Sequence, residues 1–231
     1  MKLAADLGCG TGKLTASLLR RWPDAHIVGV DNSREMLARA AAHARPGKLE
    51  FAEGDLRTWQ APHPLDLIVS NAALHWIVDH AALLARLSGL LAPGGCLAVQ
   101  MPNNREEPAY RFAVELADEP PWRERLRDAP FSPEIQSAPW YVERLAENEL
   151  EADVWETIYY QPLADADAIV EWMKGTLLRP VLAALSEADA ARYLQQLGAR
   201  VRTVYPTRSF GVLFPFKRLF FVARRRRSAD R

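Results

Sequence analysis

Cysteine is nearly absent from the chain: its 231 residues include only Cys9 and Cys96, with no histidine at metal-ligand spacing from either. That excludes a disulfide-stapled scaffold and a zinc ligand set, and both residues are read as buried, reduced thiols. Net charge is absent too, because 29 Lys+Arg offset 29 Asp+Glu. Whole-protein attraction to nucleic acid or to an acidic membrane therefore has no support. No apolar run approaches the roughly 18–20 residues that cross a bilayer, and Met1-Lys2-Leu3 leads straight to Asp6 and a group of glycines rather than to a secretory apolar region. The chain is read as cytoplasmic, with no membrane or nucleic-acid partner. It also lacks an internal repeat and a flexible linker.

What is present is an ordinary globular composition, 49% apolar and 25% charged, which suffices for a buried core. The first hundred residues alternate short β-like runs with helical patterns, the mark of a mostly parallel sheet wrapped by helices. Strands are expected at Leu3–Leu7, His26–Asp31, Leu49–Glu53, Leu65–Asn71 and Cys96–Met101. Leu14, Leu18, Leu19 and Trp22 repeat at helical spacing. So do Met36, Leu37, Ala40, Ala41 and Ala44, after a cap at Asn32 or Ser33. A third stripe, Leu83, Leu84, Leu87, Leu90 and Leu91, opens at Asp79 and is expected to stop at Pro93-Gly94-Gly95.

Beyond Met101 the pattern becomes Pro- and charge-rich through Pro139, with helical pieces at Ala109–Ala117 and Tyr141–Ala146. A strand is expected over 152–160, helices over 165–178 and 187–197, and β-structure over 209–223. Ser186 caps the second of those helices, and Gly198 is placed beyond its end. From Arg200 onward ten Lys/Arg face Asp230 alone, including Arg224-Arg225-Arg226-Arg227; this is read as a solvated end whose field helps attract an anionic substrate.

The turn Asp6-Leu7-Gly8-Cys9-Gly10-Thr11-Gly12 lies between a strand and a helix, where glycines let a ligand approach the backbone. A phosphate-binding P-loop would need glycine where Leu7 stands and a hydroxyl where Leu14 stands. A dinucleotide fingerprint would want its third glycine where Lys13 stands. Neither fits. The pattern Asp-x-Gly-x-Gly-x-Gly instead resembles the first motif of class I S-adenosylmethionine-dependent methyltransferases, in which no phosphate has to be neutralised. The resemblance implies a Rossmann-like α/β fold whose mostly parallel sheet ends in an antiparallel strand, with helical cover insertions. It implies that S-adenosylmethionine is the cofactor, that Asp6 orders the turn and reaches toward the methionine amino group, and that Gly8 and Gly10 make room. Asp31 ends the second strand, 23 positions after Gly8, where a carboxylate can accept from both ribose hydroxyls. In the same way Asp55 faces the adenine amino group with Leu56 flanking the ring, and Asn71 faces the methionine half.

Several later stretches are similar to the trans-aconitate 2-methyltransferase family: Ser70-Asn71-Ala72-Ala73-Leu74-His75-Trp76, Leu97 to Pro102, Trp155-Glu156-Thr157-Ile158-Tyr159-Tyr160, Leu178-Arg179-Pro180 and Phe216 to Arg224. That family is expected to esterify one carboxylate of a small polycarboxylic acid. The acceptor side is then assigned to Trp76, Tyr159, Tyr160, Arg179 and Arg218. No catalytic base and no metal are expected, because a carboxylic acid is already ionised at neutral pH. His75 is read as a neutral wall or donor, and His26, His43, His63 and His80 as surface or turn positions. The implied layout is a single domain over 1–231. Its cofactor-binding core is 1–101, mainly helical acceptor-side cover occupies 102–150 and 161–208, and the last strand and basic tail fill 209–231. The resembling family has additional N-terminal residues that help cover cofactor and acceptor. Their absence here leaves open weak cofactor binding and a cofactor-binding protein with little catalysis. The basic tail keeps open a carboxyl methyltransferase for a malonyl group on a carrier protein.

Overall fold

The structure is a computed structural model that describes residues 1–129, 131 and 135–227; the last four residues of the expected basic tail lie outside the described residues. Two compact units make up the chain. The first comprises Met1–Met101, Ile135–Glu156 and the segment from Leu219 onward; the second comprises the segment from Pro102 and Thr157–Arg218.

The first unit is built on repeated β-α steps. Strands β1 (Leu3–Leu7), β2 (His26–Asp31), β3 (Leu49–Glu53) and β4 (Leu65–Asn71) have the limits expected from the sequence, and β5 spans Leu91–Pro102. β1 is buried on both faces, as a central parallel strand covered by helices must be. The parallel register sets Leu7 beside Val30, Asp31 beside Glu53 and Asn71 beside Gln100. The carboxyl ends of these strands thus fall on one edge. The full order is β3-β2-β1-β4-β5-β7-β6, with β6 at Leu150–Leu163 and β7 at Val212–Arg225. β7 runs antiparallel: the Arg225 guanidinium reaches the Leu91 carbonyl at the start of β5, while Asn103 N–H, just past its end, donates to Lys217 O.

Helices α1 (Lys13–Arg21), α2 (Arg34–Ala40) and α3 (His80–Gly89) begin where capping chemistry allows. Ser33 Oγ accepts from Met36 N–H at 3.3 Å and Asp79 Oδ1 from Ala82 N–H at 2.9 Å. α3 ends at Gly89, well before the expected stop. Leu90 is its C-cap, and Leu91-Ala92-Pro93-Gly94-Gly95 already belong to β5. The reason is close strand approach: a Cβ on Gly95 would lie 2.6 Å from the Leu65 carbonyl oxygen. α6 (Ala138–Glu147) delivers Tyr141 and Leu145 to a core shared with Leu84, Leu87, Leu97, Leu219 and Phe221.

The second unit has its own core. α4 (Pro108–Ala117), α5 (Trp122–Arg125), α7 (Ala166–Lys174), α8 (Arg179–Ala184) and α9 (Glu187–Arg202) pack with Phe214 and Phe216. Trp122 meets Tyr193 edge-on at 5.4 Å, and the Tyr193 hydroxyl donates to Ala113 O at 2.5 Å. Burying one such ring contributes about 1.5–3 kcal/mol. Ser186 caps α9 as expected, but Gly198 does not end it: the helix runs four residues further, and Gly198 is buried within it. A Cβ there would meet nothing closer than 3.5 Å. Gly198→Ala should therefore stabilise the protein by about 0.5–1 kcal/mol through helix propensity. Thermal unfolding should show a midpoint raised by about 1–4 °C; a lowered midpoint would mean that the helix has no room for the methyl group.

Candidate functional site

The turn after β1 is fastened to β2. Gly8 and Cys9 N–H donate to Val30 O at 2.8 and 3.0 Å, and Gly10 N–H donates to Asp31 Oδ2 at 2.8 Å. Gly8, Gly10 and Gly12 all take left-handed backbone angles, φ 77°, 54° and 72°, which favour glycine. Their surroundings differ. A Cβ on Gly8 would lie 2.1 Å from the Ala73 methyl and one on Gly12 would lie 2.6 Å from the Phe51 ring, whereas one on Gly10 would meet nothing within 4 Å. The room expected over both Gly8 and Gly10 is thus found over Gly10 alone; Gly8 is needed so that the β4 loop can close on the turn.

Asp31 is held from two sides. Besides Gly10, Ser33 N–H donates to its Oδ1 at 2.9 Å, so each carboxylate oxygen keeps one lone pair for a ligand. Asp6 is buried and accepts from Thr15 Oγ1 at 2.7 Å. Burial pushes its carboxyl up to about 6, against the Thr15 hydrogen bond and with a further rise from the Asp31 charge. Asp55 is the opposite case. Arg57 grips both of its oxygens, Nε lying 3.0 Å from Oδ1 and 2.9 Å from Oδ2 while its backbone N–H donates to Oδ1 at 2.8 Å, and these hydrogen bonds hold the Asp55 carboxyl down to about 2. Leu56 lies beside Gly8, and Arg86 secures that loop by donating to the Leu56 and Trp59 carbonyls.

At the end of β4, Asn71 is exposed and Ala72 is left-handed at φ 53°. Such strain, about 1–2 kcal/mol for a non-glycine residue, persists where neighbours over-determine it; Ala72 N–H is tied to Gln100 O at 2.9 Å. The short turn Leu74–Trp76 follows. It exposes Trp76 and buries His75, whose imidazole burial lowers to about 4, the nearby His80 lowering it further. His80, expected at the surface, is instead buried, with Nδ1 2.5 Å from the Tyr141 hydroxyl and Nε2 3.1 Å from Leu74 O. His80 therefore pins the turn that carries His75 and Trp76. The available signal was its place on the stripe of Leu83, Leu84 and Leu87, three to seven residues later. Thr15 was likewise passed over. Cys9 is buried as expected, its thiol pushed up to about 12 chiefly by burial, whereas Cys96 is only partly buried; both are free.

The second unit holds the other four expected residues. Arg218 lies over the rings of Tyr159 and Phe216, 5.4 and 5.0 Å from their centroids. Tyr160 is more exposed than Tyr159, at 61% against 44%. Arg179 is exposed at the start of α8 and has no ion pair among the described residues. Asn104, not singled out from sequence, is buried and accepts from the N–H of Lys217 in β7 at 2.6 Å. Among the described residues no group of His, Cys, Asp and Glu could hold a metal ion, and no helix is long and apolar enough to cross a membrane.

Asp6 and His75 oppose each other in their effect on stability. Asp6, ordinarily near 3.8, costs stability as pH rises to about 6; His75, ordinarily near 6.5, costs stability as pH falls to about 4. Each shift corresponds to about 3 kcal/mol. Asp6→Asn should therefore lose stability more steeply than the parent on acidification from pH 6.5 to 4, and His75→Gln should lose it on going from pH 4 to 6. Denaturant titrations at several pH values measure both; parallel curves for all three proteins would contradict this pairing.

Comparison with known proteins places this geometry. The methyltransferase-domain family matches residues 4–95. The chain is 46% identical over 224 residues to trans-aconitate 2-methyltransferase of Streptomyces avermitilis, covering 95% of this chain and 83% of that one. It is 48% identical over 219 residues to the enzyme of the same name from Azoarcus sp. strain BH72, covering 94% and 85%. Among solved structures, the YcgJ protein from Bacillus subtilis superposes with a TM-score of 0.64 at 19% identity, covering 98% of this chain and 93% of that one, a likeness of fold. The chain belongs to the methyltransferase family that includes the trans-aconitate 2-methyltransferases.

Proposed function

We propose that the protein transfers a methyl group from S-adenosylmethionine to one carboxylate of trans-aconitate, forming a monomethyl ester. The observation that carries this reading is identity of 46–48% to enzymes of that name along 94–95% of the chain. The turn supports it. Gly10 fronts open space, and Asp31 has one free lone pair on each oxygen for two ribose hydroxyls. Asp6 would face the methionine ammonium, which favours its ionised form; Asn71 would face the same half of the cofactor. Leu56 would flank the adenine, with Asp55 at its amino group, although Arg57 already occupies the Asp55 oxygens.

When bound, S-adenosylmethionine supplies an electrophilic methyl group on a sulfonium. The chain's own task is then to exclude water and to align an acceptor that is already an anion. A carboxylic acid of pKa near 4 needs no base at neutral pH, and alignment can supply about 7–11 kcal/mol at its best. His75 fits that scheme: buried and neutral, it is a weak base and serves as a wall or donor. Arg218 is the best-oriented cation for a carboxylate that does not react, because two rings fix its guanidinium plane. Trp76, Tyr159, Tyr160 and Arg179 complete the proposed acceptor set. The proposal places the enzyme in the cytoplasm with its small acidic substrate; among the described residues no helix is long and apolar enough to cross a membrane.

Asp31→Ala should weaken S-adenosylmethionine binding by tenfold or more, since hydrogen bonds to a charged group contribute about 1.5–3 kcal/mol each. Titration calorimetry measures this, and unchanged affinity would remove the ribose role. Arg218→Gln should raise the KM for trans-aconitate by about tenfold or more while the cofactor KM moves by less than about threefold. Equal changes in both would argue against an acceptor clamp.

A further inference from the structure

The basic end of β7 is not part of the site described above. Because β7 is antiparallel to β5, its last residues lie at the amino edge of the sheet, the opposite edge from Asp6, Asp31 and Asn71. Arg225 fixes the location: its Nη1 donates to Leu91 O, at the start of β5, at 2.7 Å and to Ser88 O, in the last turn of α3, at 3.3 Å. Arg227 is also placed, its side chain packing on left-handed Gly94, where a Cβ would lie 3.2 Å from Nε. Between these residues and Glu151 of β6 is a groove of about 520 Å³ lined by Glu151, Arg224, Arg225, Arg226 and Arg227.

The charge of this groove is uncompensated. Among the described residues Arg224, Arg226 and Arg227 make no ion pair, and Glu151 is the one carboxylate in the lining. Guanidinium groups favour carboxylate and phosphate because they present paired donors in a plane. The volume suits a small molecule, within the range of about 300–1,000 Å³ usual for ligand sites. A long polyanion is disfavoured because the chain as a whole carries net charge +0, so attraction is confined to this one short stretch.

We propose that this groove is a second anion site, remote from the glycine turn, for a small ligand with two or more adjacent negative groups, either a polycarboxylate or an oligophosphate. The proposal does not depend on the identity of the methyl acceptor. Four arginines against one glutamate favour a ligand of charge −2 or −3, and Arg225, already anchored to the protein backbone, gives the site one preset wall.

Titration calorimetry on the full chain at low salt, with inorganic pyrophosphate and with tricarballylate as separate probes, tests it. At least one probe should bind with a Kd below about 1 mM, and which one does so identifies the ligand chemistry. Arg224→Gln combined with Arg226→Gln should weaken that binding by tenfold or more while leaving thermal stability and S-adenosylmethionine affinity unchanged. Glu151→Gln should strengthen it by about fivefold, by removing a like charge close to the ligand. Arg218→Gln should leave it intact, which separates this site from the proposed acceptor site. The proposal is overturned if neither probe binds, if binding is lost in Arg218→Gln but kept in the double variant, if Glu151→Gln weakens it, or if these arginines respond only to a DNA oligonucleotide.

Discussion

One hydrogen bond organises the carboxyl edge of the sheet around the glycine turn: Gly10 N–H to the carboxylate of Asp31. The turn leaving β1 must reverse direction over a few residues and does so through three left-handed glycines, which on their own would leave it loose. Asp31, delivered to the same edge by the parallel pairing of β2 with β1, gives the turn a fixed anionic anchor and takes a second backbone donor from Ser33. The orientation of that carboxylate is therefore set by backbone donors, and in the proposed ribose role this preorganisation would limit the entropy lost on binding. The start of α1 follows from the turn, and with it the position of Thr15 against buried Asp6.

The electrostatics divide in a way that matches the proposed chemistry. Around the turn the ionisable groups are carboxylates in three different states: Asp6 raised by burial, Asp31 braced by amides, and Asp55 held by Arg57. That edge suits hydroxyls, amines and a sulfonium rather than phosphate. In the second unit the Arg218 guanidinium lies over the rings of Tyr159 and Phe216, the cation the proposal assigns to an organic anion. Of the groups around the first unit's turns, His75 is a weak base at about 4 and the Cys9 thiol is pushed up to about 12, both chiefly by burial.

Much of the fold was legible because local rules and tertiary context agree there. The limits of β1 to β4 were readable from apolar runs bounded by turn residues, and the caps at Ser33, Asp79 and Ser186 from their side-chain oxygens. Where the reading failed, a tertiary contact overrode a local signal. Gly198 resembles a helix terminator but is a buried helical residue. Leu90 and Leu91 extend the apolar stripe of α3, yet Leu91 belongs to β5 because it pairs with Leu65. His80 follows a capping aspartate, a position usually exposed, and is drawn inward by Tyr141 and by the Leu74 carbonyl. The short helix α8 offered too few residues to show a period.

The sequence by itself determined the β-α alternation, the glycine turn and the placing of acidic residues at strand ends, since these depend on periodicity and on backbone freedom encoded residue by residue. Only the tertiary structure decided what each of those residues does. It showed that Gly8 serves packing while Gly10 faces open space, that Asp55 is bound by its own neighbour, and that His80 pins the turn carrying His75 and Trp76. It also carried the arginine run to the opposite edge of the sheet from the glycine turn. The physical reason is that burial, open space and the competition among hydrogen-bond partners are properties of residues distant in sequence, brought together by strand pairing.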